Sequence, residues 1–114
     1  MTSQETTIPA AGVRSLDEVF DAIETANRRP QPWTGFDHAV LGAYRWAAGV
    51  QVAGPVTAAA AVGAVGPCRN QLLAECRAAE VRLRRAVETR ADAASALGAY
   101  RALAWLCGHL DDRP

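Results

Sequence analysis

Few side chains in this chain are of the types that do chemistry, and their spacing keeps them apart. His38 follows Asp37 directly. Successive residues of a helix do not face each other, so Asp37 cannot orient the imidazole. Arg45 lies two turns along the same face. That leaves His38 as a general base in want of a partner or, without chemistry, as an exposed or interface side chain. Cys107-Gly108-His109 stands where a helix is expected to end. A thiol at that pole of the helix dipole is not activated, because low-pKa thiols favour helix N-termini; His109 suits it as a charge–dipole partner. Cys68 and Cys76 fall on an apolar stripe and read as small core residues. Three cysteines without regular spacing form neither a disulfide framework nor a metal knuckle, and the two histidines are far apart. Gly63-Ala64-Val65-Gly66-Pro67 lacks the strand and the lysine of a phosphate loop, and no serine sits in a nucleophile elbow. These residues assign no catalytic group, no cofactor and no metal.

Every basic residue is Arg, in an Ala-, Gly- and Val-rich composition with 12 basic and 12 acidic residues. Such balance argues against a generic polyanion binder and equally against an acidic nucleic-acid mimic. One segment has a nucleic-acid look, the face bearing Arg77, Arg82, Arg84 and Arg85. Glu75, Glu80 and Glu88 interrupt it, and only Asn70 and Gln71 suit a recognition helix. The disfavoured reading is a DNA-associated face; the simpler one is a solvated, salt-bridged helix surface.

The elements that must position these residues are helices. Ser15-Leu16-Asp17-Glu18 is a capping-box pattern, followed by Leu16, Val19, Phe20, Ile23 and Ala26 on one apolar face, and Pro30 and Pro32 end the helix. A second helix starts at Thr34 with Asp37 as its N3 partner and Trp33 as a staple, and it extends to Gly54-Pro55. Phe36, Val40, Ala43, Ala47 and Val50 form its stripe; His38, Gly42, Arg45 and Gly49 form its only polar strip. A third begins after Pro67, with Cys68, Leu72, Cys76, Ala79, Leu83 and Val87 inward and Glu75 on the charged outer face. A break over Thr89–Asp92 precedes a fourth helix, which stops at Gly108. The run from Trp46 to Cys68 has no charged residue but carries Gly, Pro, Gln and Thr, too little apolar drive for a membrane span. Part of it, near 51–66, reads as a long Ala/Gly-rich connection, with a short helix across Thr57–Val62, and as the first place to look for a lid.

Leu41-Gly42-Ala43-Tyr44-Arg45 recurs as Leu97-Gly98-Ala99-Tyr100-Arg101, each copy followed by a tryptophan, Trp46 and Trp105. The expected architecture is therefore all-α: a four-helix bundle of two helical hairpins related by a pseudo-twofold internal duplication. Residues 15–110 make one domain, with a disordered tail over 1–14 and a short one over 111–114. Tyr44 and Tyr100 are expected to bury their rings with a hydrogen-bond partner for each hydroxyl, or else to line a pocket.

Trp33-Thr34-Gly35-Phe36-Asp37-His38-Ala39, Leu41 through Ala47, and Ala102-Leu103-Ala104-Trp105-Leu106-Cys107-Gly108 resemble segments of small helical proteins of actinobacteria and their phages and mobile elements. That resemblance covers about half the chain. It implies a bacterial cytoplasmic accessory protein and transfers no catalytic residue. The absence of a basic and apolar leader at the N-terminus agrees with a cytoplasmic location.

The leading functional expectation is a non-enzymatic interaction or regulatory module, homodimeric because helices 2 and 4 are apolar around most of their circumference. It would meet its partner through His38, Arg45, Trp46, Arg101 and Trp105. One alternative is DNA association through Arg77, Arg82, Arg84 and Arg85. The other is a small-molecule or cyclase-like pocket lined by Tyr44, Tyr100, Trp46 and Trp105.

Overall fold

A computed structural model describes residues 10–11, 14–58, 60, 66–90 and 93–114. Two reciprocal capping boxes start its first half. The Ser15 hydroxyl accepts the Glu18 N–H at 3.1 Å while Glu18 accepts the Ser15 N–H at 3.0 Å, opening α1 (Leu16–Asn27). Thr34 and Asp37 repeat the device at 3.3 and 2.9 Å to open α2 (Gly35–Ala47). The Trp33 ring meets His38 edge-on at 5.3 Å, an aromatic version of the expected staple. The third helix, α3 (Arg69–Thr89), has Cys68 as N-cap, and Arg90 closes it in the left-handed region at φ 56°. The fourth, α4, spans Ala93–Leu106. Together with a two-residue antiparallel pair, β1 (Ala10–Ala11) and β2 (Arg14–Ser15), these elements make an all-α fold.

The helix α4 lies against both α2 and α3, and α1 packs on α2. The α2–α4 crossing is unusually close. A Cβ on Gly98 would stand 2.5 Å from the Phe36 carbonyl oxygen and 3.0 Å from the Phe36 Cα, so the α4 backbone rests on the first turn of α2. Further along, the Tyr44 ring meets Trp105 edge-on at 5.7 Å. Around this seam the core gathers Val19, Val40, Leu72, Leu103 and Leu106, all fully buried.

Several expectations shift. Helix α2 ends at Ala47, because Gly49 turns left-handed at φ 80° and the Val50 N–H returns to the Arg45 carbonyl at 2.9 Å. Val50 and Val52 are consequently exposed. Phe20 and Val87, both assigned to apolar faces, are exposed as well. The apolar circumference of α2 and α4, from which a dimer was expected, is taken up within the chain by their mutual packing; of their large apolar side chains only Leu97 is exposed. In place of a helix across Thr57–Val62, the described part forms a turn over 55–57 and an isolated bridge between Ala53 and Ala60; residues 59 and 61–65 lie outside the described residues. So do residues 1–9 and 12–13 of the expected tail. Its end is tied down, with Arg14 donating to the Trp105 and Leu110 carbonyls at 2.9 and 2.8 Å. At the other terminus Arg113 pairs with Asp21 at 3.0 Å, and Arg29 donates to the Pro114 oxygen at 2.7 Å. Among the described residues no helix is long and apolar enough to cross a membrane.

The two glycines of the repeated pentapeptide have different surroundings. A Cβ on Gly42 would meet only the Gln51 side chain, at 3.9 Å. We expect Gly98→Ala to force α2 and α4 apart and cost about 1–3 kcal/mol, as overpacking does. Gly42→Ala should instead gain about 0.5–1 kcal/mol from helix propensity. Urea denaturation of the two variants checks this; shifts of the same sign would mean that the close approach at Gly98 is absent.

Candidate functional site

A buried carboxylate builds the site. Glu75, in the middle of α3, is 2% exposed. It accepts the Val56 N–H at 2.6 Å, the Thr57 N–H at 2.9 Å and the Thr57 hydroxyl at 2.6 Å. A buried charge is tolerated only when its lone pairs are satisfied, and these three donors do so. Their effect is to pin the turn after α2 onto α3. The sequence pattern assigns Glu75 to the solvated face. It sits instead at the margin of the stripe, where the connection covers it, and nothing local in sequence announces a partner 18 and 19 residues away.

With that turn pinned, Gln51 and Pro55 close one end of a cleft of about 270 Å³. The N-terminal half of α2 forms one wall through Gly35, His38, Ala39 and Gly42; α4 contributes Ser95 and Ala99; α3 contributes Arg82. Because α4 packs against both α2 and α3, its residues lie between the two walls. The cleft is at the small end of ligand sites, which run to roughly 300–1,000 Å³. Its described lining residues offer a guanidinium, an imidazole, an amide and a hydroxyl, and among them there is no carboxylate. Gln51 is oriented by its own hydrogen bond to the Ala53 carbonyl at 2.8 Å. Asp37, next to His38, is committed elsewhere: the Thr34 N–H, then the Arg29 guanidinium at 2.8 Å, hold its carboxyl below the usual range.

The structure brings His38 and Arg82 together, two residues that sequence reasoning assigned to separate surfaces. Helix geometry sets Arg82 and Arg84 about 160° apart around α3 at ~100° per residue. Arg84 accordingly pairs with Glu80 at 2.7 Å in the expected i,i+4 bridge, away from the cleft. Arg77 and Arg85 are exposed, and so is Arg45. Arg101 and Tyr100 are half-buried. Trp46 and Trp105 are buried and present no face to a partner. Tyr44 is 1% exposed and packed edge-on against Trp105. Its hydroxyl and the Trp46 indole N–H lack a hydrogen-bond partner among the described residues. Burial pushes the Tyr44 phenol up to about 12, against the opposing charges of Arg113 and Arg29. Gln51, Pro55 and Ser95 went unnoticed in the sequence; the one available signal was the position of the first two in the connection singled out as a lid.

Around the end of α4, His109 approaches α3, with Cys76 Sγ 4.0 Å from His109 Nδ1. Among the described residues, no three His, Cys, Asp or Glu side chains are arranged to hold a metal ion.

Two substitutions test these contacts. Glu75→Gln should cost about 1.5–3 kcal/mol, the range for hydrogen bonds to a charged group, and should speed hydrogen exchange at the Val56 and Thr57 amides. Unchanged exchange there would mean that Glu75 does not clamp the turn. Tyr44→Phe should stabilise the chain by about 1 kcal/mol, because it deletes a buried hydroxyl that meets no partner among the described residues. A loss on thermal or urea unfolding would mean that the hydroxyl is bonded after all. No family model, curated protein or solved structure matches this chain.

Proposed function

We propose that the chain is a non-enzymatic binding module whose cleft between α2, α3 and α4 holds a small ligand through an anionic group, a carboxylate or a phosphate. One observation carries this reading: Arg82 and His38 line the same small cleft, and none of its described lining residues is acidic. An Arg fork suits the planar or tetrahedral oxygens of such groups. The imidazole, the Gln51 amide and the Ser95 hydroxyl offer further polar contacts, and Ala39, Gly42 and Ala99 leave room for a short apolar portion. Binding is favoured over turnover because no carboxylate among the described residues orients His38: its ring is edged against Trp33, and Asp37 is engaged by Thr34 and Arg29.

The two-hairpin duplication belongs with this proposal. Both α2 and α4 end in the same motif, with Gly49 and Gly108 at φ 80° and the next N–H returning five residues, from Val50 to Arg45 and from His109 to Ala104. Three extra residues, Ala102-Leu103-Ala104, separate Arg101 from Trp105 in the second copy, after which Trp-x-x-Gly recurs as Trp46–Gly49 and Trp105–Gly108. The copies differ where it matters: Gly42 lines the cleft and Gly98 makes the helix crossing.

Titration of the ¹⁵N-labelled chain with inorganic phosphate and, separately, acetate tests the proposal. Amide shifts should concentrate at His38, Gly42, Gln51 and Ser95. Arg82→Gln should weaken binding at least about tenfold, the loss of one charge-assisted contact, while Arg85→Gln leaves it unchanged. Equal effects of the two variants would defeat the reading. So would a duplex oligonucleotide that binds at physiological salt through Arg77, Arg84 and Arg85, which would favour the nucleic-acid alternative.

A further inference from the structure

Just past α2, polar and apolar side chains have exchanged their usual places. The left-handed turn at Gly49 reverses the chain, and Gln51 comes back beside Gly42. Val50 is 60% exposed and Val52 76%, while Gln51 between them is half-buried and lines the cleft. The ordinary arrangement would turn the valines in and the amide out. An inversion of this kind is tolerated where a polar group has work at a site. The amide is also oriented. Its Nε2 donates to the Ala53 carbonyl at 2.8 Å, which leaves Oε1 as the open end. Among the described residues Oε1 meets no donor. Both terminal atoms border the space above Gly42, where a Cβ would stand 3.9 Å from Oε1 and 4.0 Å from Nε2.

Resting on the reading of the cleft as an anion site, we infer that its ligand is a small hydroxy acid whose carboxylate pairs with Arg82 and whose hydroxyl donates to Gln51 Oε1. The two protein groups have opposite characters: a guanidinium can only donate, and an amide oxygen can only accept. A carboxylate is the smaller of the two anionic groups and leaves room for a hydroxyl in a cleft of about 270 Å³. An ammonium at Gln51 is disfavoured by the Arg82 charge, with no carboxylate among the described lining residues to offset it. Gly42 has its own part in this selection. Without a side chain there, the approach to Oε1 stays open; a methyl would cover it at ordinary contact distance and leave the fold in place.

The test titrates the ¹⁵N-labelled full chain with matched acids in which a hydroxyl replaces a methyl: glycolate against propionate, and 3-hydroxypropionate against butyrate. In at least one pair the hydroxy acid should bind about three- to tenfold more tightly, the worth of one hydrogen bond, and should shift the Gln51 side-chain amide. Gln51→Met keeps the length of the side chain without its amide and should bring that pair to equal affinity. Gly42→Ala should do the same by covering Oε1, and since it is expected to stabilise α2, unfolding does not account for its effect. Arg82→Gln should weaken both members of the pair alike. If the acids shift His38 and Gly42 but neither pair shows a preference on the native chain, the inference is overturned and the anion reading stands. A preference that survives both Gln51→Met and Gly42→Ala overturns it as well. If none of the acids shifts those amides, the anion reading falls and the inference falls with it.

Discussion

The α4 backbone can rest on the first turn of α2 only because residue 98 has no side chain. The Phe36 carbonyl and Cα occupy the space that a Cβ would need. Both the cleft and the aromatic seam depend on this contact. It brings Ser95 and Ala99 level with His38 and Gly42, and it presses Tyr44 onto Trp105 further along the crossing. Close packing of this kind lets two Ala-rich helices, which carry little apolar area per residue, share a common core with few voids.

The core so formed is not free of polar cost. Tyr44 and Trp46 bury polar atoms that meet no partner among the described residues, a departure from the usual rule for interiors. Glu75 shows the opposite solution: a charge equally buried but fully engaged by the turn it captures. In an otherwise Ala-, Gly- and Val-rich connection, this carboxylate is the main polar anchor. Seven of the nine described lining residues of the cleft belong to helices, and the other two, Gln51 and Pro55, come from the connection that Glu75 holds.

The helix α4 links both chemical regions of the molecule. Ser95 lines the cleft near its start, and His109, just beyond its end, comes to 4.0 Å from Cys76 of α3. Both regions arise where α4 meets a neighbour, the first against α2 and the second against α3. The helices α2 and α4 stop alike, at Gly49 and Gly108, each with φ 80°. The glycines within them differ in their neighbours, Gly42 facing the Gln51 side chain and Gly98 the Phe36 backbone.

What the sequence by itself determined is local. The capping boxes at Ser15/Glu18 and Thr34/Asp37, the break near Thr89 and the stop at Gly108 each rest on contacts within a few residues, so residue type and spacing suffice to read them. The all-α class follows from the same periodicities. Tertiary structure alone decided which faces meet. A helical period gives the angle of a side chain but not what lies opposite it, so Glu75 reads as solvated and Val87 as buried, and each proves the reverse. For the same reason Arg82 looks like one member of a basic face until α2 and α4 stand beside it. Two identical pentapeptides likewise cannot reveal that one glycine admits a helix and the other borders a cleft. Nor does the place of His109 beyond a helix end reveal that its Nδ1 comes to 4.0 Å from Cys76 Sγ on α3.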